Sequence, residues 1–308
     1  MSKRNFSLQD LANSRLGIGF ALAVGKFTPR WLGYRIADLG ARLAAAQRGS
    51  SLVQALRNNQ WVISGGQLSG PELDQAVYQV LRSNGRCLYD FYHNLERPKE
   101  VLRLVTFDPQ FQHVFDLAKS GSNPTLFVIP HLSNFDLAGR SLALRGLNFQ
   151  VLSFPQPPGG YQLQNRLRME AGMEVTPMSI EAAQKAKERL RGGGVVLTGL
   201  DRPLQATKRY PRFFGRPAAL PVAYVHLALQ TQAPIIVVAC VSPEPGKYTV
   251  VSRPPVIPQP HPNREVGLME NAEAVLREAE VLIRQYPRQW SMFYPVWPEA
   301  AAGRPAGN

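Results

Sequence analysis

Thr125-Leu126-Phe127-Val128-Ile129-Pro130-His131-Leu132-Ser133-Asn134-Phe135-Asp136 is the stretch on which the fold turns. Its first five residues are apolar or β-branched and follow the turn signal Gly121-Ser122-Asn123-Pro124. They predict a buried strand. Leu137 to Leu144 then predicts a helix. His131 accordingly stands at the carboxyl end of a strand, where open α/β sheets place their ligands. Asp136 follows five residues later, in the first turn of the helix. A loop that folds back can lay this carboxylate on one imidazole nitrogen and leave the other free to take a proton. Acyl transfer to a hydroxyl requires that chemistry. A plainer reading uses the same residues: Ser133-x-x-Asp136 is also a capping-box pattern, in which Asp136 serves only the helix start.

Outward from this stretch, strands and helices alternate. Phe149–Phe154, Glu174–Pro177, Val195–Leu200, Pro234–Cys240 and Tyr248–Val251 read as strands. Tyr161–Ala171, Ile180–Arg191, Ala218–Gln230 and Arg264–Tyr286 read as helices, with another near 109–119. If the sheet is parallel, the loop Pro155–Gly160 and the pair Asp201-Arg202 lie at the same edge as His131. The alternation predicts one α/β fold, a central mostly parallel sheet flanked by helices. Ahead of it, 71–94 reads as a long helix opened by Ser69-Gly70-Pro71-Glu72, followed by a loop around Arg97-Pro98-Lys99. Gly192-Gly193-Gly194 is a turn and not a phosphate loop, since no helix follows it. Residues 1–298 read as a single domain with its α/β core over 120–298, and residues 299–308 as a disordered tail.

The chain has 308 residues, 44% hydrophobic and 19% charged, with a formal net charge of +13. That balance implies an anionic partner: nucleic acid, a membrane surface, or an acidic substrate or carrier. The stretch Lys208–Arg216 mixes bases and aromatics, but it stands alone and belongs to no recognisable nucleic-acid module, so no nucleic acid is expected. Cys87 and Cys240 lie far apart without metal-ligand spacing and read as reduced buried thiols; no metal site is expected. There is no G-x-S-x-G elbow, no H-E-x-x-H and no P-loop, which removes support for a serine esterase, a zinc protease or a nucleotide phosphohydrolase.

Residues 1–64 read as basic amphipathic helices. Nine Lys or Arg stand against two Asp over 1–60, and Leu16, Phe20, Val24, Trp31, Ile36, Leu39 and Leu43 recur near helical spacing. No run is long enough to span a bilayer, which takes about 20 apolar residues. Two readings fit: helices lying in the lipid interface, or a helix pair packed on the core with a solvated basic face. The expected location is the cytoplasmic face of the cell membrane, held peripherally to an anionic surface.

The block His131-Leu-Ser-Asn-Phe-Asp136-Leu-Ala-Gly resembles the H-x-x-x-x-D motif of lysophospholipid-type, glycerolipid-acyltransferase-like enzymes. It is similar to the branch of lipid A lauroyl/myristoyl and phosphatidylinositol mannoside acyltransferases. Three further blocks keep the order of that branch: Arg168-Met-Glu-Ala-Gly172-Met173-Glu174-Val175; Asp201-Arg202 with Phe213-Phe214-Gly215 and Leu220-Pro221; and Tyr286-Pro287-Arg288-Gln289-Trp290 with Phe293 and Trp297-Pro298. The resemblance implies an O-acyltransferase with a groove for an acyl chain. It implies a thioester donor, acyl-CoA or acyl carrier protein, a membrane glycolipid or lysolipid acceptor, and no cofactor. His131 would be the general base, Asp136 would orient it, and Asp201 matches an acidic position beside the histidine. Asn134, Arg168 and Arg202 are implied binding residues. Asn134 alternatively caps the helix, and the two arginines alternatively structure the pocket. Replacement of Arg168 is expected to damage transfer more than folding. A competing class is a basic membrane- or nucleic-acid-binding protein with a non-catalytic site; intact His131 and Asp136 argue against it.

Overall fold

The computed structural model describes residues 15–155 and 159–304. Its strands are β1 (Val105–Phe107), β2 (Thr125–Ile129), β3 (Phe149–Ser153), β4 (Glu174–Pro177), β5 (Val195–Gly199), the short pair β6 (Arg212–Phe213) and β7 (Arg216–Pro217), β8 (Ile235–Glu244) and β9 (Lys247–Ser252). Its helices are α1 (Arg15–Phe27), α2 (Arg30–Ala46), α3 (Ser51–Ile63), α4 (Gly70–His93), α5 (Pro98–Leu104), α6 (Pro109–Lys119), α7 (Phe135–Leu144), α8 (Gly159–Glu170), α9 (Ile180–Arg191), α10 (Ala223–Thr231) and α11 (Arg264–Gln285). The large sheet runs β1-β9-β8-β2-β5-β3-β4. Its neighbours pair in parallel except β8 with β9. The predicted α/β class with a mostly parallel sheet is the fold.

The strands are apolar on both sides because both sides are covered. Alternate residues of β2 divide between two cores. Leu126 and Val128 pack with α9, α10 and α11. Phe127 joins Phe111 of α6, Leu137 and Leu142 of α7 and Leu167 of α8 on the other face. Because β2, β3 and β5 run parallel, Ile129, Ser153 and Gly199 end at one edge, the edge at which His131 follows β2 and Asp201 follows β5.

Several boundaries differ from expectation. The loop around Pro98 is helix α5, opened by Pro98 in its first turn. The three residues of β1 that follow it are held by pairing with β9, far away in sequence. Helix α10 starts at Ala223 and not Ala218. Pro221 disfavours helical backbone at Leu220, and Ala218 instead donates its N–H to the Pro211 carbonyl at 3.0 Å. The expected disordered tail is ordered through Arg304: Pro298–Gly303 forms a 3-10 helix with Ala300 buried. Arg304 donates from Nη1 to the Gln54 carbonyl of α3 at 2.9 Å.

The N-terminal helices pack by their small residues. A Cβ on Gly33 would lie 2.0 Å from the Tyr89 ring, so α2 can seat against α4 only with glycine there. Gly33 and Ala41 are buried. Of the large apolar residues at helical spacing, Phe20, Trp31, Leu39 and Leu43 turn outward and are exposed, as is Phe27. The first fourteen residues, part of the expected helical segment, lie outside the described residues.

Candidate active site

His131 leaves β2 through Pro130, and its ring is held from three directions. Asp201 Oδ1 lies 2.6 Å from Nδ1. A carboxylate only accepts, so Nδ1 carries a proton, and the neutral form of such a ring has its lone pair on Nε2. The other Asp201 oxygen accepts from the His131 backbone N–H at 2.8 Å and from the Trp290 indole N–H at 2.7 Å. The Phe135 ring meets the imidazole edge-on at 5.2 Å between centroids. At the end of β5, Gly199 leaves the room a side chain would occupy: its Cβ would stand 3.3 Å from His131 Cε1. Asp201 is fully buried while the His131 side chain is 22% exposed, so the pair is anchored below and open above.

The C-terminal segment completes this support. Leu132 bridges Trp290 in antiparallel fashion. Ser133 N–H donates to the Gln289 carbonyl at 2.9 Å, and Ser291 N–H to the His131 carbonyl at 2.8 Å. Gln289 itself clips to both backbone groups of Ser242 on β8 at 2.8 Å each. Trp290 was legible only as part of the closing block; its contact with Asp201 is a tertiary fact.

Asp136 does not orient His131. Arg168, from α8, donates to it from Nε at 2.6 Å and from Nη2 at 3.3 Å, and Arg168 Nη1 binds Asn165 Oδ1 at 3.0 Å. Both side chains of this pair are 9% exposed. Burial penalises the Arg168 charge, and the Asp136 carboxylate together with Tyr161 more than offsets it, holding the guanidinium pKa above its ordinary value. The predicted His131–Asp136 contact is therefore replaced by two separate pairs, His131–Asp201 and Asp136–Arg168. The capping-box reading also shifts. Ser133 adopts left-handed backbone at φ 48°, and Asn134 is the N-cap, accepting from Leu137 N–H at 3.2 Å. Asn134 also donates to the Cys87 carbonyl at 2.9 Å, so its side chain is spent on tying α4 to α7. Burial pushes the Cys87 thiol up to about 12 and raises that of Cys240, which leaves both without nucleophilic thiolate near neutral pH.

Above His131 opens a chamber of about 410 Å³. Its lining includes Phe135, Ala138, Gly139 and Leu142, a helical i, i+3, i+4, i+7 stripe of α7, with Phe149 and Leu197 of the sheet. It also includes Leu204, Leu220, Val222 and His226. Burial and the nearby charges of Arg264 and Arg209 lower the His226 pKa. Arg202 projects from the residue after Asp201 into the mouth, its Nη2 donating to the Tyr294 hydroxyl at 2.9 Å. The chamber is thus a mostly apolar cavity with the Asp201-bonded imidazole of His131 in its lining, a shape and chemistry that suit a hydrocarbon chain beside a polar group.

A family model for bacterial lipid A biosynthesis acyltransferases matches residues 2–299. Two similar relatives are phosphatidylinositol mannoside acyltransferases of Mycobacterium tuberculosis, strains ATCC 25618 / H37Rv and CDC 1551 / Oshkosh. Each is 31% identical over 129 residues, 41% of this chain and 41% of the relative. The matched segment therefore spans well under half of these relatives' length. The family match covers nearly the whole chain, and the chain belongs to the bacterial lipid A biosynthesis acyltransferase family.

Proposed function

We propose that the protein transfers a fatty acyl group from a thioester donor, acyl-CoA or acyl carrier protein, to a hydroxyl of a membrane glycolipid or lysolipid. One observation carries this reading: a His131–Asp201 pair, bonded through Nδ1, in the lining of a mostly apolar chamber. In the reaction, Nε2 takes the acceptor's hydroxyl proton as the oxygen attacks the thioester carbon. Asp201 holds the ring and stabilises the imidazolium. The tetrahedral intermediate then collapses, the C–S bond breaks, and the imidazolium returns its proton to the departing thiolate. Asp136 and Arg168 lock α7 to α8 and shape the wall.

The acceptor would be met at a membrane surface. No described helix is long and apolar enough to cross a bilayer. Trp31, Arg35, Leu39 and Leu43 follow one another at four-residue steps along an outward ridge of α2, with the Arg35 guanidinium 5.5 Å from the Trp31 ring. An exposed apolar ridge that carries Arg35 and has the exposed Arg42 beside it fits the interface of an anionic bilayer.

The test is transfer from acyl thioesters of increasing chain length to a phospholipid or glycolipid extract, presented on anionic vesicles, by the wild type and His131→Ala. Product formation should rise with chain length, since each buried methylene contributes about 0.8 kcal/mol. His131→Ala should lose about 10²–10⁴-fold with its melting curve unchanged. An equal rate in His131→Ala, or a flat response to chain length, would reject the reading.

A further inference from the structure

Two histidines line the chamber, and their surroundings differ. His131 gives Nδ1 to Asp201. His226, on α10, has no hydrogen-bond partner at either ring nitrogen among the described residues. Burial and the charges of Arg264 and Arg209 lower its pKa against the pull of Glu265, so the ring is neutral near neutral pH. A neutral imidazole offers one donor and one acceptor. Arg209, in the same lining, spends Nε and Nη2 on the Glu265 carboxylate at 2.9 and 2.8 Å. Its backbone N–H donates to the Thr207 hydroxyl at 3.0 Å, which fixes the turn that presents it. This part of the lining therefore carries a neutral ring and an ion pair without net charge, with Leu204, Leu220 and Val222 in the same wall.

Resting on the acyltransferase reading, we propose that His226 and the neighbouring Arg209–Glu265 pair form a subsite for an uncharged sugar ring of the lipid acceptor. The chemistry of other occupants fits less well. An acyl chain laid here would strip water from the imidazole and return no hydrogen bond. A phosphate would meet a guanidinium already satisfied by a carboxylate, and that carboxylate would repel it. A pantetheine arm carries its amides singly, spaced along a chain. A sugar ring sets hydroxyls on neighbouring carbons, and each hydroxyl both donates and accepts. A neutral imidazole does the same, and a guanidinium beside a carboxylate does so between them. The apolar side chains of Leu220 and Val222 suit the C–H face of such a ring. The α7 stripe is then left to the acyl chain.

The test has a binding arm and a kinetic arm, both on the full chain. In the first, octyl glucoside and octyl mannoside are titrated below their micelle concentrations into the wild type, His226→Ala and His226→Gln. The control is tetraethylene glycol monooctyl ether, which has the same alkyl chain and no ring hydroxyls. The wild type should bind at least one glycoside more tightly than the ether. His226→Ala should weaken that preference by about 2- to 10-fold, the range of one neutral hydrogen bond. His226→Gln should recover part of it, because an amide also donates and accepts. A wild type that binds neither glycoside better than the ether, or a preference that survives in His226→Ala, would overturn the proposal. In the second arm, the same glycosides serve as acceptors and palmitoyl-CoA as donor. In His226→Ala most of the loss in kcat/KM should appear as a raised KM for the glycoside. A raised KM for palmitoyl-CoA with that of the glycoside unmoved would assign the subsite to the donor and overturn the proposal. A loss confined to kcat would overturn it too and place His226 in the chemistry. A sugar preference lost in His226→Ala, in a wild type that transfers no acyl group, would reject the acyltransferase reading and leave the sugar subsite standing.

Discussion

Two carboxylates stand on either side of the loop that carries His131, and the pairs they form are opposites. Asp201 holds a base that opens on the chamber; Asp136 holds a cation sealed in the wall. Histidine can gain and lose a proton near neutral pH, so its pair can move one. Arginine keeps its proton throughout, so its pair can only hold structure. The difference teaches that a carboxylate five residues from a histidine is not thereby its partner. What decides is which oxygen lies along the ring nitrogen, and here the oxygen comes from the far end of a neighbouring strand.

The largest expected effect belongs to the open pair. Asp201→Asn should cut transfer by about 10²–10⁴-fold, because an amide can present its N–H to Nδ1 and turn the lone pair away from the substrate. Asp136→Asn should cost far less in rate. Equal losses in the two variants would dissolve the contrast. Next comes the sealed pair: Arg168→Ala should destabilise the fold by about 3–5 kcal/mol, since it strands a buried carboxylate. Chemical denaturation reads this directly. Asp136→Leu combined with Arg168→Met should recover most of that stability, and a rate lost in the double variant despite restored folding would put Arg168 in the chemistry after all.

A smaller effect is expected at the support of the open pair. Trp290→Phe keeps the ring and removes one N–H from Asp201, a hydrogen bond to a charged group worth about 1.5–3 kcal/mol. Its transfer rate should fall with its melting point, whereas Asp201→Asn should lose rate out of proportion to stability. The smallest effect concerns a third buried carboxylate, Asp90, which accepts from Tyr248 at 2.5 Å and Tyr34 at 2.6 Å. Burial raises its pKa above the ordinary 3.8 against the pull of both tyrosines and Arg30. The folded state thus binds this proton more tightly than the unfolded chain. Its contribution is complete below the ordinary aspartate value and is lost as pH rises through the raised one. Melting temperatures of wild type and Asp90→Asn, compared across that window, should diverge as pH rises; parallel curves would show that Asp90 is not the source.

Much of the fold was legible because its strands and most of its helices declare themselves locally. The helix Ile180–Arg191 has the bounds its pattern predicts, and β2 was readable as a buried run between a turn and a cap. The misreadings share one cause. The strand β1 is held through β9, and the segment Pro298–Gly303 is followed by Arg304, which binds α3. None of these partners is near in sequence.

The site divides in the same way. His131, Asp136, Asp201 and Arg202 line or adjoin one chamber, as their placement at strand ends and a helix start implied, because a parallel sheet gathers such ends at one edge; Arg168, in the last turn of α8, reaches the same chamber. The sequence by itself therefore determined the class of fold, the edge where chemistry is possible and the residue types present there. Only the tertiary structure decided the pairing: Asp201 and Trp290 on His131, Arg168 on Asp136, and Arg202 left to aromatic rings. Side-chain periodicity reports which face of an element is buried, while a hydrogen bond is settled over a few tenths of an ångström by how separate elements cross, and that distance is written in no local stretch of the chain.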